Sequence, residues 1–227
     1  LLGVVERGLA RRAAAQPNPV PRFEVDPLWP KMPPQWILGQ VAGLATDAQD
    51  HVWLIQRPWS LNSDEKAGNP EAACCRPAPP VMEFDAEGNY LQGWGGEGAG
   101  YEWPRDEHGI FVDYKNNVWL SSAGGPRLRE RTENFILKFT RTGQFLLQVG
   151  RRGQSQGSLD TANFNNAADI YVHPATNEAF IADGYVNRRV VVLDADTGAF
   201  KRMWGAYGKP PDDAVPNTRQ DDGPGPA

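Results

Sequence analysis

The chain has few of the residues that would announce a chemistry at once. Of 227 residues, two are cysteine and three are histidine. Cys74 and Cys75 are adjacent, and neighbouring Cα atoms stand about 3.8 Å apart, below the usual disulfide spacing. The pair therefore reads as a loop dithiol or a local cystine, and two adjacent thiols are too few to specify a soft-metal site. Basic residues are outnumbered, 23 Lys and Arg against 28 Asp and Glu, for a net charge of -5. That leaves no basic footprint for nucleic acid. No apolar run approaches the ~20 residues of a membrane span. The chain also starts without Met, on LLGVVERGLARRAAAQ. Ala13, Ala14 and Ala15 before Gln16 resemble the small-residue end of a secretory signal, whereas Glu6, Arg7, Arg11 and Arg12 interrupt an apolar stretch. Two readings stand for residues 1–20, a remnant of an export signal or a short frayed or helical segment. The first makes an exported protein the expectation.

What is abundant points to turns and short strands. There are 24 glycines, 20 prolines and eight tryptophans, with a mean hydropathy of -0.54. Residues 107–120, EHGIFVDYKNNVWL, read as two strands around an Asn-rich turn, a hairpin by its β-branched and aromatic flanks. The same pattern recurs on both sides. Residues 41–47 (VAGLATD) and 52–55 (VWLI) make strands A and B of a first unit. After an insertion over 57–80, residues 81–85 (VMEFD) and 90–94 (YLQGW) make C and D. The second unit runs 108–113, 118–120, 135–139 and 144–149. The third runs 168–173, 179–183, 190–194 and 200–204.

Three units of four short strands, each closed by Gly after an apolar residue, are the mark of propeller blades. The expected class is all-β, with blades over residues 21–208 (units about 41–96, 107–150 and 167–205) and an isolated strand at 22–25. Residues 209–227, rich in Pro and Asp, read as a linker to blades not included. A closed ring takes ~4–8 blades, so three to four blades imply part of a larger one.

Hairpin polarity places the candidate residues. Strand A lines the channel and B returns antiparallel, so the start of A and the end of B share a mouth. His108 opens a strand A, while Arg57 and Tyr185 lie just past B strands, and all three should converge there. His51 sits in an A–B turn and His173 takes the strand-end slot of Asp47 and Asp113, so both are expected to be solvated. The slot of His108 holds Ala42 and Ala168 in the other units, and one histidine makes no metal site. Periodicity alone leaves His108 a hydrogen-bonded channel residue, and Arg57 and Tyr185 ordinary loop residues.

These segments resemble NHL-repeat β-propellers, and more closely the catalytic domain of the peptidyl-α-hydroxyglycine α-amidating lyases. LGQVAGLATDAQDHVWLIQRP (38–58) is similar to that family's first blade, which ends in a catalytic arginine, here Arg57. EHGIFVDYKNNVW matches the blade that supplies a zinc histidine, here His108. ATNEAFIADGYVNRRVVVLD matches the blade with the catalytic tyrosine, here Tyr185. The resemblance covers about residues 38–208 in order. It implies a six-bladed ring, zinc, and a calcium held partly by the backbone carbonyls of Leu44 and Ile110. The family's two other zinc histidines, second arginine and calcium aspartate belong to later blades. Its cysteine pair around the tyrosine blade is replaced by Asn165 and Val186, and the Cys74-Cys75 insertion has no counterpart.

The implied reaction cleaves the C–N bond of a peptidyl-α-hydroxyglycine to a peptide amide and glyoxylate. Zinc on neutral imidazoles can polarise the hydroxyl oxygen. Tyrosine is a poor base near neutral pH unless neighbouring cations favour its phenolate, which Arg⁺ and Zn²⁺ do. Arginine can also hold the substrate carboxylate through paired hydrogen bonds, and backbone carbonyls suit a structural calcium. The partner implied is a small peptide-like substrate. Two rivals remain, a non-catalytic exported NHL propeller that binds a peptide, glycan or protein, and a calcium-dependent lactonase-like hydrolase. The second lacks an acidic cluster at the inner strand ends.

Overall fold

A computed structural model describes residues 22–65, 75–123 and 133–214. The strands are β1 (Trp36–Ile37), β2 (Gln40–Thr46), β3 (Val52–Arg57), β4 (Arg76–Pro77), β5 (Val81–Phe84), β6 (Tyr90–Trp94), β7 (Glu107–Val112), β8 (Asn117–Ser122), β9 (Phe135–Thr140), β10 (Phe145–Gly150), β11 (Asp169–His173), β12 (Glu178–Asp183), β13 (Arg189–Asp194) and β14 (Phe200–Trp204). They form three antiparallel four-stranded meanders, in the orders β2-β3-β5-β6, β7-β8-β9-β10 and β11-β12-β13-β14. A short parallel pair, β1 with β4, stands apart. Among the described residues the only helical segments are two three-residue 3-10 turns, Pro58–Ser60 and Ala206–Gly208. The fold is an all-β partial propeller. No described helix is long and apolar enough to cross a membrane.

The A–B turns explain why each hairpin folds locally. Asp113 Oδ1 accepts the backbone N–H of Lys115 at 2.8 Å and of Asn117 at 2.9 Å, and Trp119 Nε1 donates to Oδ2 at 2.9 Å. Asp47 repeats this with Gln49 N, His51 N and Trp53 Nε1 at 2.9, 3.0 and 3.1 Å. Each turn passes through a left-handed residue, Asp50 at φ 60° and Asn116 at φ 61°, a conformation that Asp and Asn tolerate better than most. The carboxylate thus closes the turn and fixes the indole that the next blade covers.

Side chains alternate between the two faces of each sheet. Trp53, Ile55 and Val81 of the first sheet meet Ile110, Leu120, Phe135, Leu137 and Phe139 of the second. Trp119 and Ile136 on the other face of the second meet Ile170, Val172, Ile181 and Val191 of the third. The far face of the first sheet (Leu54, Met82, Phe84) is covered by Trp29, Met32, Trp36 and Leu38 from the preceding segment. Each fully buried indole removes about 150–250 Å² from water, worth up to about 4–6 kcal/mol, so these seams hold the sheets together. Equivalent positions mark the uncovered flanks. Leu44 is 64% exposed, while Ile110 and Ile170 on the same rung are 5% and 4%. Phe180, in the slot of the fully buried Trp53 and Trp119, is half-buried under the guanidinium of Arg202.

Several expectations need correction. Residues 22–25 form no strand, since no neighbouring chain pairs with them, and Phe23 and Val25 are each 91% exposed. Arg57 is the last residue of its strand, paired with Gln40, and does not lie beyond it. His51 and His173 are both half-buried instead of solvated. His51 Nδ1 lies 2.7 Å from Oε1 of Glu83, a buried carboxylate that Arg141 of the second sheet also engages across the seam. His173 packs edge-on to Tyr171. Cys75 is disulfide-bonded, which agrees with the local-cystine reading and not with the dithiol. Cys74, residues 1–21 and residues 215–227 lie outside the described residues.

Candidate functional site

Strands β2, β7 and β11 stand side by side around the axis, and two glycines let them approach. A Cβ built on Gly43 would stand 2.8 Å from the carbonyl oxygen of His108, and one on Gly109 would stand 2.8 Å from that of Ala168. At this spacing only a glycine backbone fits without displacement. The approach brings the start of β7 against both neighbouring blades. Arg57 at the end of β3, His108 in β7 and Tyr185 just past β12 therefore gather at one mouth.

His108 is held from both ring nitrogens. Nδ1 lies 3.1 Å from the carbonyl oxygen of Ala168. A carbonyl only accepts, so Nδ1 carries the hydrogen and Nε2 keeps its lone pair. Nε2 lies 2.9 Å from the Tyr185 hydroxyl, which donates to it. The rings meet edge to face, with centroids 5.3 Å apart. Burial lowers the pKa of His108, and the charge of Arg57 adds to this against the opposing Ala168 carbonyl, Asp106 and Asp169. The imidazole is thus neutral near pH 7, the form that accepts a proton or binds a metal. Tyr185 is 53% exposed and open to the channel.

Arg57 is anchored across the seam between the first two blades. Its Nε–H points at the carbonyl oxygen of Glu107, 2.9 Å away, and Asp106 Oδ1 lies 2.7 Å from the same nitrogen, off the N–H axis. The Asp106 contact is therefore an ion pair and not a second aligned hydrogen bond. Nη1 reaches Gln40 Oε1 at 3.4 Å, and the guanidinium lies over the Trp59 ring, 5.9 Å from its centroid. Beneath it the carboxyl of Glu107 is buried, with Oε2 taking the Trp59 indole N–H at 3.0 Å and Oε1 that of Trp103 at 2.9 Å. Burial pushes the pKa of Glu107 up, against these two hydrogen bonds.

Asp106, Glu107 and Gln40 were missed by sequence reasoning. The one available signal was the acidic pair directly before His108. Leu44 and Ile110 occupy the same rung of adjacent channel strands, paired with Leu54 and Leu120. The described residues bring one imidazole to this mouth, where a zinc ion takes about four donors. The single group of three metal-capable side chains among the described residues is Asp47, His51 and Glu83. It lies at the far end of the hairpins and already holds the guanidinium of Arg141.

No protein-family model matches the chain. NHL repeat-containing protein 3 of Mus musculus is 26% identical over 191 residues, 81% of this chain and 46% of that protein. Peptidylglycine alpha-amidating monooxygenase of Rattus norvegicus is 24% identical over 197 residues, 84% of this chain and 19% of that protein. The chain thus spans about half the length of the first relative and a fifth of the second. Among solved structures, the virginiamycin B lyase of Staphylococcus aureus superposes with a TM-score of 0.42 at 14% identity, covering 74% of this chain and 42% of that one. That likeness is too low to bear on function. By sequence the chain resembles the NHL-repeat propellers and the amidating enzyme at low identity.

Proposed function

We propose that this chain is the part of an NHL-type propeller that carries one side of a carbinolamide-cleaving site, acting on a peptidyl-α-hydroxyglycine or a close analogue. One observation carries the reading. A neutral histidine with Nδ1 fixed by a backbone carbonyl presents Nε2 to a tyrosine hydroxyl, with an anchored arginine at the same mouth.

In the proposed reaction the substrate hydroxyl loses its proton, its oxygen becomes the aldehyde oxygen of glyoxylate, and the C–N electron pair leaves with the amide nitrogen, which is protonated. Tyr185 is placed to accept or relay the hydroxyl proton, and Arg57 to pair with the glyoxylate carboxylate. Zinc, when bound, would polarise the hydroxyl oxygen. His108 would be one of its ligands, with its Nδ1–H bond to Ala168 setting the tautomer that frees Nε2. Tyr185, whose hydroxyl donates to Nε2 here, and the metal would compete for that lone pair. Calcium on the carbonyls of Leu44 and Ile110 would tie the first two blades, and export of the whole protein fits the same reading.

The test is glyoxylate release from a peptidyl-α-hydroxyglycine by the full-length protein. Tyr185→Phe should lower kcat by roughly 10²–10⁴-fold, the usual worth of a positioned proton-transfer group. It should change stability by no more than about 1.5 kcal/mol, the net scale of one hydrogen bond. No release above the uncatalysed rate would defeat the lyase reading. Undiminished release by the variant would defeat the role of Tyr185. The second reading, a propeller without catalysis, rests on the likeness to NHL repeat-containing protein 3.

A further inference from the structure

We propose that Asp106 is a positioning residue that makes Arg57 a preformed receptor for a carboxylate group. The inference rests on the site reading above, but it concerns recognition and not bond cleavage.

Three groups on two chain segments constrain the guanidinium. Asp106, 1% exposed, stands 2.7 Å from Nε. The Glu107 carbonyl takes the Nε–H, and Gln40 takes Nη1 from the channel side. The backbone that carries Arg57 is clamped as well, because Ser60 Oγ donates to its carbonyl oxygen at 2.7 Å and accepts Gln40 N–H at 2.8 Å. Trp59 in the same turn is bolted to Glu107. All of these contacts lie on the Nε side and the Nη1 edge. Nη2 makes no hydrogen bond among the described residues, and the side chain keeps 21% of its surface exposed. An arginine held at Nε with Nη2 and part of Nη1 open presents N–H groups for a planar anion.

Asp106 has a second effect. Its buried negative charge offsets that of the partly buried Arg57, so the guanidinium can remain there before any ligand arrives. The open N–H groups suit a planar anion such as a carboxylate. On the proposed function this carboxylate ends an acylated α-amino acid or its α-hydroxy derivative, with the amide end toward His108 and Tyr185.

The experiment measures binding of N-acetylglycine and of its carboxamide, N-acetylglycinamide, by NMR titration of the full-length protein. Wild type should bind the acid and not the carboxamide. Asp106→Asn, which removes the charge of this ion pair, should weaken binding of the acid by about tenfold, within the range of coupling between residues of one salt-bridge network. Gln40→Met, at an exposed position, should weaken it less but in the same direction. Thermal melts identify a variant that has lost its fold, and in that case Gln40→Met decides. Equal binding of the acid by wild type and by a folded Asp106→Asn overturns the inference, and so does a wild type that does not prefer the acid. Carboxylate binding without glyoxylate release would retire the lyase reading and leave this inference standing.

Discussion

Replacing Gly109 by Ala tests whether the seam between the second and third blades sets the orientation of His108. The added Cβ would stand 2.8 Å from the Ala168 carbonyl oxygen and 2.6 Å from Ser121 Oγ, where carbon prefers non-bonded contacts of about 3.5 Å or more. The two backbones must separate by roughly 0.7 Å, and overpacking of this kind destabilises by about 1–3 kcal/mol. Ser121 Oγ cannot turn away freely, because it accepts the Gly109 N–H at 2.9 Å and donates to the Ala168 carbonyl at 3.0 Å. Disturbing one of these bonds adds about 1 kcal/mol. The expected loss is therefore about 2–4 kcal/mol, read as a lower denaturant midpoint at unchanged m. The same carbonyl holds His108 Nδ1, so ring-nitrogen NMR should show the Nδ1–H tautomer losing its dominance. Gly184→Ala, whose Cβ would meet nothing within 4 Å, is the steric control. A Gly109→Ala protein within about 0.5 kcal/mol of wild type, the range of an ordinary surface change, would refute the close approach and with it the described support of His108.

Two further outcomes are expected. Asp113→Ala should destabilise by about 3–5 kcal/mol, because a buried carboxylate that accepts Lys115 N, Asn117 N, Asn117 Nδ2 and Trp119 Nε1 disappears and leaves an indole N–H unpaired; chemical denaturation measures it, and a loss under 1 kcal/mol would mean that the turn does not depend on the carboxylate. Because burial lowers the pKa of His108 in the folded state, the unfolded chain takes up that proton first. The contribution of His108 to stability is then complete above its unfolded pKa, near 6.5, and falls as pH drops below that value, by at most about 1.4 kcal/mol per pH unit. The wild type minus His108→Gln difference in stability between pH 8 and 5 isolates this term, and a flat difference, or one that grows as pH falls, would contradict a neutral buried imidazole.

The parts of this protein written in short stretches of chain were legible in the amino-acid sequence. Val-Trp-Leu at 52–54 and at 118–120 alternates because one face of each strand meets a neighbouring sheet. Asp47 and Asp113 precede Trp53 and Trp119 by the same six residues because one carboxylate closes the turn and takes the indole. Hairpin polarity alone was enough to send Arg57, His108 and Tyr185 to one mouth. Tertiary structure decided what those residues touch. Ala168 lies 60 residues from His108 and meets it only because Gly109 lets two blades close up. Asp106 and Glu107 are buried where Trp59 and Arg57 come to them from another segment. His51, expected in water, is half-buried because Glu83 and Arg141 come from two different sheets to the same point. Periodicity reports which side of a strand is apolar, since that depends on residues two apart. The partner of a buried polar group depends on how sheets dock across a seam, which no local pattern encodes.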